Sequence, residues 1–193
     1  VNALAASLNA ADFGRLVDPF QGQEAMREKI LRTPLEPTAT FEDDPLRIMR
    51  AFRFSCQLGF AIEPSVLEAA TSMAPRLKIV SQERITDEFL KILASRKPSV
   101  GLQSMHEAEV LKVVFPEVAH LGGVDQRQDF HHKDVFQHTI RVLDNVAEAS
   151  ENLWLRMAAL LHDIAKPRTK AFQEGVGWTF HGHEEIGARM VKP

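Results

Sequence analysis

Apolar residues recur at intervals of three and four along most of this chain, and strict alternation of apolar and polar residues is rare. That spacing places apolar side chains on one face of an α-helix, whereas a strand requires a period of two. Prolines and glycines divide the pattern into pieces of helical length. The sequence therefore predicts a mainly α-helical fold, with helices over 23–32, 44–58, 63–73, 81–94, 98–106, 135–150 and 153–165 and a further helix starting near residue 183.

A few segments depart from the helical spacing. Residues 12–23, DFGRLVDPFQGQ, place turn residues around a short apolar run and predict a small strand or hairpin. Residues 33–44, TPLEPTATFEDD, contain two prolines that cannot continue a helix, so we expect a connector there. We expect a second connector over 115–132 and a loop over 173–178.

Composition limits the class of protein. The chain has 193 residues, 45% hydrophobic and 25% charged, which is typical of a soluble globular protein. No apolar run approaches the roughly 20 residues that cross a bilayer, and no leader is evident, so we expect a cytoplasmic protein with no membrane contact. The net charge of −3 means that any RNA contact must come from local clusters. Cys56 is expected to be a buried apolar residue.

The chain begins at Val1 rather than at a methionine and stops at Pro193, shortly after a helix-like run. From the sequence alone we expect a piece of a longer protein.

Residues 42–54, EDDPLRIMRAFRF, predict a helix with a distinctive charged face. Pro45 suits the first turn, and acidic residues suit the positive end of the helix dipole. Leu46, Met49 and Phe52 are spaced to form a buried stripe. The arginines lie on another face, where a solvated surface is the simpler interpretation. These arginines are Arg47, Arg50 and Arg53.

A second interpretation follows from hydrogen-bonding chemistry. Cytosine and adenine each present an amino donor beside a ring-nitrogen acceptor. Asp44 can accept from the amino group while Arg47 donates to the ring nitrogen, whereas uracil and guanine present the reverse order. The remaining arginines, Arg50 included, could contact phosphate or stabilise the carboxylates.

The segment DDPLRIMRAFRF resembles the Glu-Asp-x-x-Arg motif of the tRNA nucleotidyltransferases that add CCA to tRNA 3′ ends, and of the related bacterial poly(A) polymerases. In that family the motif selects the incoming nucleotide, which implies templating roles for Asp44 and Arg47. Asp43 stands where the family usually has glutamate. The segments NALA, at Asn2, and ERITDEFLKIL, at Arg84, resemble further family motifs and imply weaker nucleotide-binding roles for these two residues.

The resemblance also implies an organisation and a reaction. Residues 1–36 would be the end of a nucleotidyltransferase head with a small β remnant, 37–122 a helical neck and body that binds RNA, and 123–193 part of an HD domain. The family's head holds a Gly-Ser loop and paired aspartates that bind two Mg²⁺ ions, and these 193 residues contain no such segment. The resemblance implies tRNA, CTP and ATP as partners, and we expect this chain alone to be inactive in nucleotide addition. CCA-, A-, CC- and poly(A)-adding enzymes share these motifs.

Histidines and an aspartate in the last third of the chain predict a metal site. The helix LWLRMAALLHD is apolar up to His162 and Asp163, and a buried aspartate requires a partner or a metal ion. His138 lies on a core-facing stripe, and HGH supplies His181 and His183. We expect His138, His162 and Asp163 to lie close together and to bind a divalent metal with His183.

The pattern resembles an HD domain, whose final aspartate would follow residue 193. Two alternatives to the nucleotidyltransferase hypothesis stay open on this evidence. One is an independent metal-dependent HD phosphohydrolase. The other is an RNA-binding helical module without catalysis.

Overall fold

The computed structural model describes residues 3–124 and 134–191, and most of these residues lie in helices connected by short loops. The predicted fold class is confirmed. Most long helices begin and end within two residues of the predicted positions. The helices are α1 Gly22–Glu28, α2 Pro37–Asp43, α3 Leu46–Leu58, α4 Pro64–Met73, α5 Gln82–Leu93, α6 Pro98–Glu107, α7 Val110–Val114, α8 Pro116–Ala119, α9 Val135–Ala149, α10 Leu153–Leu161, α11 Lys166–Thr169 and α12 His183–Met190.

Short strands form three two-stranded pairs in the described part of the chain. The strand predicted within 12–23 is present as β2 Leu16–Val17, and it pairs antiparallel with β1 Ala5–Ala6, which lies before the predicted range. A parallel pair, β3 Ile30–Leu31 with β4 Ala61–Ile62, was not predicted. The loop predicted over 173–178 is wrong, because β5 Ala171–Gln173 and β6 Gly177–Thr179 form an antiparallel hairpin.

Two predicted boundaries near the start of the chain are wrong. Helix α1 ends at Glu28 rather than near residue 32, because Lys29 adopts a left-handed conformation with φ of 56°. The connector predicted over 33–44 contains α2. Pro37 occupies the first turn of that helix, where no amide donor is needed, and the Glu36 carboxylate accepts from the amide of Thr38 at 2.7 Å.

Two further boundaries differ because of proline and tight turns. Helix α3 begins at Leu46 rather than at Asp44, because a residue before proline is driven out of the helical region, and Asp44 has φ −146° and ψ 101°. Helix α10 ends at Leu161 rather than at residue 165. The chain then continues in three-residue turns, with the amide of Lys166 donating to the carbonyl of Asp163 at 3.0 Å.

One continuous hydrophobic core runs from Phe41 to Ile164. Helix α3 packs on α5 and α6, and α9 joins α6 to α10. The predicted stripe of α3 and Cys56 are buried as expected. The division of the chain after residues 36 and 122 stays a prediction. None of the helices in the described ranges has the length and apolar character of a membrane span.

Two polar contacts, one half-buried and one buried, join α9 and α10 to the helices that precede them. The Asp144 carboxylate of α9 accepts from both the amide and the hydroxyl of Ser99, at 3.0 and 2.6 Å, and so caps the start of α6. The Arg156 guanidinium of α10 is buried and donates to four backbone carbonyls. The carbonyls belong to Leu93, Ser95, Ala147 and Ser150.

Candidate functional sites

The junction between α2 and α3 holds the first candidate site. Asp44 lies between the two helices in extended conformation, and its carboxylate Oδ1 accepts from the Leu46 amide at 3.2 Å. The same carboxylate forms an ion pair through Oδ2 with Nη2 of Arg84, on α5, at 3.2 Å. Asp44 is thus held by the start of one helix and by the side chain of another.

Arg47 lies in the first turn of α3 and points back toward α2. Its Nη1 donates to the Thr40 carbonyl and pairs with the Asp43 carboxylate, both at 3.2 Å. Both of these partners contact Nη1. The guanidinium has five N–H donors, so its other nitrogens can donate to a ligand. The side chains of Arg47 and Asp44 are 41% and 28% exposed, so both can reach a ligand.

The arginine face of α3 is not the solvated surface that the simpler interpretation favoured. Arg53 is mostly buried and pairs with the buried Glu88 of α5 at 2.5 Å. Arg50 is half-buried, with its guanidinium carbon 6.0 Å from the centroid of the Phe54 ring. Arg53 therefore has a specific partner on α5, whereas Arg50 lies near an aromatic ring of its own helix.

A cavity of about 400 Å³ lies between this face of α3 and the chain preceding α2. Arg32, Arg47 and Arg50 contribute positive charge to its lining, and Phe41 and Phe54 contribute aromatic surface. A cavity with these two kinds of side chain suits a ligand that combines a base with phosphate.

The second candidate site surrounds Asp163, just after α10. His138 of α9, His162 and Asp163 each offer a ligand atom, and these atoms lie within 4.8 Å of one another. Nε2 of His162 is 3.2 Å from Asp163 Oδ2, and Nε2 of His183, on α12, is 3.6 Å from Oδ1. The structure thus brings the four predicted residues together around a carboxylate that is 3% exposed.

Backbone carbonyls orient two of the imidazoles. Nδ1 of His162 lies 2.7 Å from the Ala159 carbonyl, and Nδ1 of His183 lies 2.8 Å from the Phe180 carbonyl. Each Nδ1 donates in the tautomer that these contacts favour, which leaves Nε2 as the basic nitrogen facing Asp163. Histidines that ligate metals are held in this way by their second nitrogen.

The charge of Asp163 is balanced by Lys166, which the sequence analysis did not include. The ammonium of Lys166 is 2.8 Å from Asp163 Oδ2. Burial raises the pKa of Asp163, but hydrogen bonds and charge from His162 and Lys166 outweigh burial and hold that pKa at about 2. When the His162 imidazole is protonated, its Nε2 donates a hydrogen bond to Asp163, and this bond raises the pKa of His162. Lys166 follows Asp163 by three residues, and this spacing could have predicted the ion pair.

The donor set fits a divalent metal ion. Imidazole nitrogens with a carboxylate are ligands for zinc, manganese, iron or nickel. Ligand atoms around a tetrahedral ion at about 2.1 Å lie roughly 3.4 Å apart, so small side-chain rotations suffice to close a site of this size.

Other predicted residues lie elsewhere. His181 is exposed, and no described contact joins it to Asp163. Asn2 lies outside the described residues, as do His131, His132 and Lys133, to which the sequence assigned no role.

Comparisons with known proteins indicate which family this chain resembles. A family described as "Probable RNA and SrmB- binding site of polymerase A" matches residues 59–121, and the HD domain family matches residues 135–193. The A-adding tRNA nucleotidyltransferase of Deinococcus radiodurans is 36% identical over 185 residues, which cover 92% of this chain and 42% of that protein. The multifunctional CCA protein of Hahella chejuensis is 33% identical over 199 residues, covering 100% of this chain and 44% of that protein.

A solved structure supports the same relation. The Bacillus stearothermophilus CCA-adding enzyme in complex with CTP matches with a TM-score of 0.56 at 30% identity, over 80% of this chain and 36% of that one. The chain therefore spans less than half the length of the relatives it matches.

Proposed function

Because this chain belongs to the family of bacterial tRNA nucleotidyltransferases and poly(A) polymerases, we propose that it selects the nucleotide that such an enzyme adds to a tRNA 3′ end. The reaction is nucleotidyl transfer from CTP or ATP, with Mg²⁺ ions held by a nucleotidyltransferase head. In this proposal residues 1–36 are the end of that head, 37–122 are the neck and body that bind tRNA, and 123–193 are part of an HD domain.

The observation that carries the proposal is that Asp44 and Arg47 meet at the start of α3, where the Arg47 amide donates to the Asp44 carbonyl at 3.0 Å. The Asp44 carboxylate is held by Arg84 and by the start of α3, so its acceptor oxygens have a fixed direction. Arg47 is anchored through one nitrogen to Asp43 and Thr40. Asp44 accepts from the amino group of cytosine or adenine while Arg47 donates to the ring nitrogen.

Arg50 and the cavity complete the proposed site. Arg50 and Arg47 line the same cavity as Phe54, so the arginines supply charge for phosphate beside an apolar wall. Arg84 acts through Asp44 by orienting the carboxylate. Asn2 is retained as a weaker candidate from its motif alone.

Nucleotide preference tests this proposal. The chain is joined to a nucleotidyltransferase head, and single-nucleotide addition to tRNA is measured with CTP, ATP and UTP. Replacing Arg47 by alanine should lower the preference for CTP and ATP over UTP by roughly 5- to 150-fold, the range of 1 to 3 kcal/mol for one bidentate contact. Arg27→Ala, an exposed arginine of α1, is the matched control. An unchanged preference in Arg47→Ala contradicts the proposal.

A second activity is favoured by the cluster around Asp163. We propose that His138, His162, Asp163 and His183 bind a divalent metal ion, which in HD domains supports hydrolysis of phosphate esters. The supporting observation is that two imidazoles present Nε2 to one buried carboxylate. Elemental analysis after dialysis against zinc or manganese should find about one ion per chain. His162→Ala should lose it, and the exposed His120→Ala should keep it.

A further inference from the structure

The β5–β6 hairpin presents aromatic and basic side chains on one face. Phe172 and Trp178 are directly opposite each other across the two strands, with ring centroids 5.3 Å apart. Side chains two residues apart in a strand share a face, which adds Lys170 and Phe180 to this pair. We call these four residues the aromatic face.

Lysines lie over the rings of the aromatic face. The ammonium of Lys170 is 4.4 Å from the centroid of the Trp178 ring, and that of Lys166 is 5.5 Å from the centroid of the Phe180 ring. From residue 166 to 183 the sequence has three basic residues and one acidic residue, in a chain whose net charge is −3. Because Lys166 is paired with Asp163, the positive charge that suits an anionic ligand comes from Lys170 and the exposed Arg168.

A role in stabilising the hairpin does not explain why an aromatic ring of this face remains exposed. A cross-strand aromatic pair stabilises a two-stranded ribbon, which is marginal on its own. Phe172 nevertheless remains 55% exposed, and Val176 in the turn is 67% exposed. An exposed ring next to lysines matches the recognition of single-stranded nucleic acid, in which bases stack on aromatic rings and cations meet the phosphates.

The aromatic face is connected to the cluster around Asp163. Lys166 contacts both the Phe180 ring and the Asp163 carboxylate. The Phe180 carbonyl, at the end of the hairpin, orients the His183 imidazole. A strand of RNA on the aromatic face thus lies next to the candidate metal site.

We propose that the aromatic face binds single-stranded RNA, with a base stacked on the exposed ring of Phe172 next to Trp178 and a phosphate held by Lys170. This surface is distinct from the one around Asp44. The proposal rests on the hairpin's own contacts, so it is tested separately from nucleotide selection.

Tryptophan fluorescence gives a local test. The chain has two tryptophans, so Trp154→Phe leaves Trp178 as the reporter. Titration of this variant with the unstructured hexaribonucleotide r(CACACA) should quench Trp178, and inorganic polyphosphate should compete for binding without quenching. No quenching by RNA at any concentration up to millimolar overturns the proposal.

Variants in the same background identify the contacts. Phe172→Leu keeps an apolar cross-strand pair and removes the ring, and should weaken binding at least fivefold. Lys170→Ala should reduce the dependence of log affinity on log salt by about 0.7, the contribution of one phosphate contact on a single strand. Val176→Ala, at the exposed turn, is the matched control and should bind normally.

Two comparisons complete the test. An unchanged circular dichroism spectrum and an unchanged Tm without RNA establish that each variant is folded, so a loss of affinity is then a loss of contact. Arg47→Ala should leave the quenching unchanged, which separates this surface from the nucleotide-selecting site. Equal affinity of Phe172→Leu, Lys170→Ala and Val176→Ala for RNA overturns the proposal.

Discussion

Arg156 should be one of the most sensitive residues in this fold. Its guanidinium is buried, with the residue 3% exposed, and it donates to the carbonyls of Leu93 and Ser95 at 2.8 and 2.7 Å. It also donates to the carbonyls of Ala147 and Ser150 at 3.1 and 3.0 Å. These carbonyls end α5 and α9, where a helix lacks its own donors and where the dipole favours a cation.

The expected loss follows from those four bonds. Replacing Arg156 by methionine keeps most of the side-chain volume but leaves the carbonyls without this donor, at about 1 kcal/mol or more for each buried group. Removing the buried charge recovers part of its desolvation free energy. We expect the free energy of unfolding to fall by about 4 kcal/mol. For a chain of this size, that loss lowers the Tm by roughly 8 to 16 °C.

Urea and thermal unfolding followed by circular dichroism measure this loss. Arg156→Lys keeps the charge, but a lysine ammonium cannot reach four separate carbonyls. We expect its loss in free energy of unfolding to be roughly half that of Arg156→Met. Arg168→Met replaces an exposed arginine and should change the free energy of unfolding by less than about 0.5 kcal/mol. A loss below about 1 kcal/mol for Arg156→Met refutes the reasoning that this residue holds the two helix ends.

Three further predictions concern the core and the cluster. Gly101→Ala should destabilise the chain by roughly 1 to 3 kcal/mol in urea unfolding, because the new Cβ would overlap the Sγ of Cys56 and meet Ile92 at 3.2 Å. The Cys56 thiol, whose pKa burial raises to about 11, should react with a thiol reagent at pH 8 only after unfolding. The pKa of Asp163 is lower in the folded chain than in the unfolded chain. Its contribution to the free energy of unfolding is therefore complete above pH 4 and is lost as pH falls toward 2. Urea unfolding at several pH values should show this loss, and Asp163→Asn should lack it.

Helical spacing predicted the larger helices because each buries one face in the shared core. Leu46, Met49 and Phe52 are buried as their spacing indicated. The prediction failed where proline was taken only as a helix breaker. Pro37 begins α2, because proline is tolerated in the first turn. The prediction also placed Asp44 inside α3, whereas Pro45 drives the residue before it out of the helical region.

The candidate sites were predictable to different degrees. The proximity of the residues around Asp163 was predictable, because a buried aspartate requires partners and because the histidine pattern resembles an HD domain. Lys166 and Arg156 were not predicted, because their roles depend on which partners the tertiary structure supplies. Arg156 is the one charged residue in the apolar segment LWLRMAALL. Because a buried guanidinium requires hydrogen-bond partners, its position indicated that buried acceptors lay nearby.

The hairpin of β5 and β6 was not predicted because its strands are only three residues long. Its glycines at 175 and 177 have φ of 77° and 92°, and such residues indicate a turn without specifying the pairing around it. The cross-strand pairing of Phe172 with Trp178 depends on that register.

In the proposed site Arg47 donates to the ring nitrogen of the selected base, and a nucleotide without that nitrogen removes the acceptor. With a nucleotidyltransferase head attached, addition is compared for CTP and 3-deaza-CTP, which lacks the N3 acceptor. The protein with Arg47 should discriminate against the analogue by roughly 5- to 150-fold, and Arg47→Ala should show no discrimination. Equal discrimination with and without Arg47 would contradict this role of Arg47.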